Sequence, residues 1–311
     1  MLHPAWQSPI SHPPLRLCLR LRKRGESEAA RDLLAHSESP PAGGALDWDP
    51  EEVRRLTEEI PWIREIYLYP EVGSTNDVAR DLGDMGAPEG VAVLADAQTR
   101  GRGRAGRSWW TPPGRAIALS LLVRPRRPVA DWPQLGMVAG LAAVEAVRGI
   151  GCPAGLKWPN DLMIPPVIGE VPSLMAWRKA GGILVEAFPP AFAVIGIGIN
   201  VNIWPEEIPP DLREILGSLS QTLGRPIPRL AVLKGLLRAF ASLYLEWNAG
   251  ARLVERWAAA LIMLGRPVRV LTPEGACEGI AEGVDEGGGL RVRLPDGREQ
   301  RFHAGEVSLR G

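Results

Sequence analysis

GRGRAG, residues 101–106, matches G-x-G-x-x-G with Gly101, Gly103 and Gly106, and its reading decides the fold. A dinucleotide-binding loop needs a strand leading in and a helix opening directly behind it, because the helix N-terminus holds the pyrophosphate. The strand is present, since VAVLADAQ (91–98) reads as an apolar run. The helix is not: RSWWTPPGR (107–115) follows, and Pro112, Pro113 and Gly114 forbid one. A Rossmann site is thereby set aside, and the lack of any G-x-x-x-x-G-K-[ST] removes a P-loop. What remains is a long, flexible, cationic loop carrying Arg100, Arg102, Arg104 and Arg107 within eight residues. An RNA-binding Arg-Gly segment is the competing reading, and a single short copy inside a folded domain argues against it.

That local charge stands out because the chain has none overall. Its 311 residues hold 36 basic and 36 acidic side chains, which gives no global bias toward nucleic acid or a membrane surface. The length suffices for one large domain and a smaller one. Cys18, Cys152 and Cys277 lie far apart without zinc spacing, so neither a disulfide framework nor a metal site is suggested, and a reducing cytoplasm is expected. No apolar run approaches the roughly 18 residues of a membrane span. Residues 1–45 mix Pro, Ser, Gly and Arg without a sustained period and are expected to be a disordered tail or an over-extended start.

From Leu46 the pattern is that of a folded chain. DPEEVRRLTEEI (49–60) is a helix with an Asp N-cap, EIYLYP (65–70) a strand, and STNDVARDLG (74–83) a helix opened by a hydroxyl. RAIALSLLVRP (115–125) is a strand, and residues 131–151 form a helix with small residues suited to close packing. Three β-like segments follow, at 156–164, 181–188 and 192–203, then helices near 229–248 and 250–262. Beyond Gly265 come short strands with turn signals, five in under fifty residues, which suggest an SH3-like barrel. This order argues for an α+β fold rather than a doubly wound sheet: a large domain over 46–264 and a small barrel over 265–311.

Four further stretches carry polar groups at element ends: Gly73–Asn76, Lys157–Asp161, Lys179–Leu184 and Gly196–Asn202. Lys157 and Lys179 read either as surface lysines or as site cations. Lys179 precedes two glycines that let backbone approach a ligand. Asn200 and Asn202, in an otherwise apolar strand, mark either a turn or a function. Ser74 is either a helix cap or part of a receptor for a small polar head group. With four histidines, three in or beside the tail, and no G-x-S-x-G or H-E-x-x-H, no nucleophile constellation is evident. Positioning and electrostatics remain, which suits phosphoryl or nucleotidyl transfer.

In this order, GSTND, QTRGRGRAGRSW (98–109), KWPND, KAGGIL and GIGINVN resemble the biotin protein ligase family, with the likeness running from about residue 64 to the C-terminus. The resemblance implies a mixed-sheet catalytic domain followed by the SH3-like barrel. It implies a reaction of biotin with ATP to give biotinyl-5′-AMP, then transfer to a lysine of a biotin carboxyl carrier domain of acetyl-CoA carboxylase or a related carboxylase. By resemblance Ser74, Thr75, Asn76 and Gln98 bind biotin, with Arg102, Gly103 and Arg104 on the loop that closes over it and Trp109 flanking the pocket. Lys179 lies against the carboxylate and α-phosphate and, with Arg102 and Arg104, is the expected catalytic group. Arg104, Arg107, Lys157, Asn160, Asp161 and Asn200 place ATP, whose phosphates carry Mg²⁺ without a dedicated protein site.

Two departures accompany the likeness. The 162–178 segment is longer than the hairpin expected in the family, and the tail lacks the pattern of a winged helix-turn-helix, so a monofunctional ligase without DNA binding is expected. No nucleic acid or membrane partner is expected, and whether the chain forms a homodimer through a sheet edge is left open. The competing functions are a lipoate or octanoate ligase or transferase of the same fold, and a non-catalytic biotin sensor.

Overall fold

The computed structural model describes residues 18–22, 48–166, 176–273 and 275–309. The elements run β1 (Leu19–Arg22), α1 (Pro50–Glu59), β2 (Glu65–Val72), α2 (Thr75–Asp84), β3 (Val91–Gln98), β4 (Ala116–Val123), α3 (Leu135–Gly149), β5 (Gly155–Lys157), β6 (Asp161–Ile164), β7 (Arg178–Phe188), β8 (Phe192–Asn200), α4 (Leu219–Leu223), α5 (Arg229–Asn248) and α6 (Val254–Ala260). The small C-terminal sheet comprises β9 (Pro267–Thr272), β10 (Gly275–Val284), β11 (Leu290–Arg293), β12 (Glu299–Phe302) and β13 (Glu306–Leu309).

The large sheet has the order β1-β2-β3-β4-β8-β7-β6-β5 and is mixed: β2 and β3 are parallel and every other neighbouring pair is antiparallel. Strand alternation divides its two faces. Ile66, Leu68, Ala92, Leu94, Ile117, Leu119 and Leu121 join the core under α1, α3 and α5, whereas Tyr67, Tyr69, Val91, Val93, Ala95 and Leu122 pack with Ala79 and Leu82 of α2. The helix α3 is apolar nearly all round because it is enclosed between the sheet and α5, and Gly235 of α5 faces Ala146 across that contact. In the second sheet, order β12-β11-β10-β9-β13 and wholly antiparallel, Val268, Val270, Ala281, Leu290, Val292 and Val307 belong to the same contiguous core as the large sheet. The fold is therefore α+β, with the small antiparallel barrel at its C-terminus.

Local chemistry explains where elements differ from the expected spans. The helix expected over 131–151 begins only at Leu135, after a 3₁₀ turn over Val129–Gln134 that contains Pro133. The segment 156–164 is two strands, β5 and β6, joined at Trp158–Asn160, where Trp158–Pro159 is cis. Leu19–Arg22 falls in the stretch expected to be a disordered tail or an over-extended start; it forms β1 on the edge of β2. Its LRLR alternation turns Leu21 toward the core, while Arg20 and Arg22 reach Glu65 at 2.8 and 2.6 Å. The rest of that expected tail and residues 167–175 of the expected enlarged loop lie outside the described residues.

Candidate active site

The α2 face of the sheet bears a floor of missing side chains. Along β8, Ile195, Ile197 and Ile199 enter the helical core, so the intervening Gly196 and Gly198 face the other way. On β7, Ile183 enters the core, and Gly182, Leu184 and Glu186 share the open face by the same alternation. A Cβ at Gly198 would enter the Trp109 indole, and one at Gly196 would meet the Asn76 carboxamide. Glycine at both positions lets the loop and α2 approach the sheet. The resulting cavity, about 100 Å³, is lined by Ser74, Thr75, Asn76, Gln98, Arg102, Gly103, Arg104, Arg107, Trp109, Asn160 and Lys179 among others.

One wall comes from the N-terminus of α2. Gln98 Oε1 accepts from Thr75 N at 2.9 Å and from Thr75 Oγ1 at 3.1 Å, so the end of β3, not Ser74, satisfies the first helical N–H. Ser74 occupies the cap position without a side-chain cap bond and stays on the cavity wall. Ser120, a lone hydroxyl in the apolar β4, lies 2.8 Å from Thr75 Oγ1 and 2.6 Å from Asn76 Oδ1.

The other polar wall is cationic. Lys179 Nζ lies 2.6 Å from Asp161 Oδ1 and 5.7 Å from the centroid of the Trp109 ring, and Lys157 takes the other Asp161 oxygen at 3.0 Å. Burial pushes the Asp161 carboxyl up, but the two lysines outweigh it and hold the group below the ordinary carboxylate range. Arg104 has no hydrogen bond or ion pair from its side chain among the described residues, and burial, reinforced by Arg107, lowers its affinity for a proton. Trp109 Nε1 is buried with no partner among the described residues, an orphan donor facing the glycine floor.

Three expected site residues do not line this cavity. Lys157 and Asp161 stand behind Lys179, and Asn200 donates to the carbonyl of Gly217 at 3.1 Å. Asn202, two residues beyond the end of β8, holds Ile227 through two hydrogen bonds of 2.8 and 2.9 Å. The geometry thus gives both asparagines partners in neighbouring loop backbone.

Residues 69–202 match the Biotin/lipoate A/B protein ligase family, and residues 263–310 match the Biotin protein ligase C terminal domain. The chain is 36% identical over 253 residues to the biotin–[acetyl-CoA-carboxylase] ligase of Mycobacterium tuberculosis, covering 78% of this chain and 88% of that protein. The chain belongs to this ligase family. It is also 33% identical over 245 residues to the bifunctional ligase/repressor BirA of Bacillus subtilis, covering 76% of this chain and 72% of that one. Among solved structures, the biotin protein ligase of Aquifex aeolicus in complex with biotin and ATP aligns with a TM-score of 0.66 at 30% identity, over 79% of this chain and 98% of that one.

Both family segments meet at a second, wider cleft of about 870 Å³ that shares Arg102, Gly103, Arg104, Asn160, Ile183 and Leu184 with the first. Its far side is the barrel, where Gly287–Gly289 and His303 line it. Trp158 Nε1 donates to Gly288 O at 2.9 Å, and Arg107 pairs with Glu306, so a strand turn and the glycine-rich loop each reach the barrel. Sequence reasoning missed Asp77, Ser120 and Glu186. Ser120 and Glu186 had a usable signal, each being a polar side chain inside a strand pattern and in register with the open face.

Proposed function

We infer that this chain is an ATP-dependent biotin protein ligase, with a catalytic unit over residues 46–264 and a small barrel over 265–311. The observation that carries the reading is a narrow, glycine-floored cavity bounded by the Ser74–Thr75–Gln98 wall and by Lys179 and Arg104. Neutral donors and acceptors suit a ureido head group, and cations suit a carboxylate and a phosphate. A lipoyl or octanoyl group has an apolar terminus and would leave that polar wall unpaired, which favours biotin.

In the first step a biotin carboxylate oxygen attacks the α-phosphorus of ATP, forming the mixed anhydride as pyrophosphate leaves. Lys179, oriented by Asp161, offsets charge on the carboxylate and α-phosphate, and Arg104 adds a second cation from the loop. Trp109 covers the glycine floor and limits water at the anhydride. In the second step the neutral acceptor lysine amine attacks the acyl carbon, the acyl C–O bond of the anhydride breaks, AMP leaves with that oxygen, and the nitrogen sheds one proton as the amide forms. Mg²⁺ would be carried by the triphosphate, and Asp161, committed to two lysines, would act on Lys179 rather than as a metal ligand. The acceptor is a biotin carboxyl carrier domain, that of acetyl-CoA carboxylase by analogy with the Mycobacterium tuberculosis relative, and the free cysteines Cys18, Cys152 and Cys277 fit a reducing cytoplasm.

Intact-mass analysis of an apo carrier domain incubated with the protein, Mg-ATP and biotin tests this, with lipoate and octanoate in parallel. A single biotin-sized increment in the biotin reaction alone is expected. An increment with lipoate or octanoate would overturn the substrate, and calorimetric biotin binding without an increment would favour a sensor.

A further inference from the structure

The arginines of the glycine-rich loop are not in equivalent surroundings. Arg104 is without a partner among the described residues, whereas Arg102 is held by two carboxylates. Arg102 Nη1 donates to Asp77 Oδ1 at 2.6 Å, and Nη2 to the two oxygens of Glu186 at 3.1 and 3.2 Å. An incoming phosphate would therefore meet a guanidinium whose charge is already offset by two carboxylates. The same residue closes the neck of the loop, since Arg102 and Ser108 form a β-bridge and Gly103 N donates to Arg107 O at 2.7 Å.

Glu186 is itself fixed from below. Asn76 Nδ2 donates to Glu186 Oε2 at 2.6 Å, and Asn76 Oδ1 lies 2.6 Å from Ser120 Oγ, which in turn is 2.8 Å from Thr75 Oγ1. A continuous polar chain therefore runs from Gln98 and Thr75, on the wall assigned to the ureido group, to the neck of the loop. Two carboxylates around one arginine make a rigid anchor, and they leave the loop's next arginine as the available cation.

We propose that Asp77 and Glu186 are positioning residues that hold Arg102 as the staple of the glycine-rich loop, so that Arg104, not Arg102, meets the phosphate. This rests on the ligase reading for its chemical consequence but not for its structural one. Glu186→Gln preserves an acceptor for Asn76 and removes one charge, and Asp77→Asn keeps an amide oxygen for Arg102 while removing the charge that faces Arg102 at 2.6 Å and Arg80 at 3.8 Å.

The first measurement needs no substrate: trypsin cleavage after Arg102, Arg104 or Arg107 in the ligand-free full chain. Cleavage is expected to be about tenfold faster in each single variant than in the wild type, at unchanged melting midpoint. Unchanged cleavage in both variants would overturn the staple. The second is a double-mutant cycle read as escape of preformed biotinyl-AMP and as kcat and KM for adenylation. Arg102→Met and Glu186→Gln should each speed escape about tenfold, mainly raise KM, and fail to add when combined. A fall in kcat on Arg102→Met as deep as that on Arg104→Met, or full additivity with Glu186→Gln, would overturn the division between the two arginines. If the wild type forms no adenylate, the ligase reading falls, while the proteolysis arm still decides whether the staple exists.

Discussion

Asp161 sits between two lysines, its oxygens 3.0 Å from Lys157 and 2.6 Å from Lys179, so its work is to set the position and charge of Lys179. Lys179→Ala removes a cation from beside the reacting carboxylate and should slow adenylation by two or more orders of magnitude, about 3 to 4 kcal/mol for a transition-state contact. Biotin-dependent pyrophosphate exchange reads this directly, and a rate within about threefold of wild type would remove the role. Asp161 also makes a prediction about acid. Because its folded-state pKa is lowered, its contribution to stability is complete above about pH 4, the value of a free aspartate, and is lost as pH falls through the folded value. Asp161→Asn should cost about 1 to 3 kcal/mol at neutral pH and progressively less in acid. Urea denaturation at pH 7 and pH 3 checks it, and a pH-independent difference would mean that the carboxylate charge is not what matters.

Elements with a strong internal signal were legible, and contacts between elements were not. The Asp49 cap, the alternation of β2 and the short strands beyond Gly265 can each be read from neighbours in the chain, and the structure places them accordingly. The prolines behind GRGRAG were enough to refuse a Rossmann helix. Glu186 and Asp77 could not be read as partners of Arg102, because 84 and 25 residues separate them from it and only the packing of β7 and α2 brings them together. Asn200 likewise donates to the Gly217 carbonyl, a partner 17 residues away that no local pattern announces. The LRLR run was masked by its setting in a tail of tail-like composition, yet its period of two is a strand pattern. As an edge strand β1 pairs with residues 65–68, the end of β2 away from the turn at Gly73–Ser74 that leads into the site. Removing residues 1–45 should therefore cost about 1 to 3 kcal/mol, from the Leu21 contact and the Arg20 and Arg22 pairs with Glu65, and leave biotin affinity within about twofold. Melting curves and calorimetry of the two lengths of chain test it, and an unchanged midpoint would mean that the strand adds nothing to the fold.

At the scale of the molecule, the barrel does not behave as an appendage. Its buried residues continue the core of the large sheet, through Trp257 and Met263, and its Gly288 carbonyl and Glu306 carboxylate hold the turn at Trp158 and the loop at Arg107. Inter-domain contacts that are small and polar permit separate unfolding, whereas a shared apolar core couples the two parts. The chain should therefore unfold in one cooperative transition. Trp158 and Trp257 line the junction, and tryptophan fluorescence should report the same denaturant midpoint as far-ultraviolet circular dichroism. Trp158→Phe keeps most of the ring packing but withdraws the donor from Gly288, and should lower the unfolding free energy by about 0.5 to 1.5 kcal/mol, moving the shared midpoint down without splitting the transition. Two separate transitions in the wild type would show that the barrel folds independently, and the loop's hold on Glu306 would then be a contact between separable bodies rather than part of one framework.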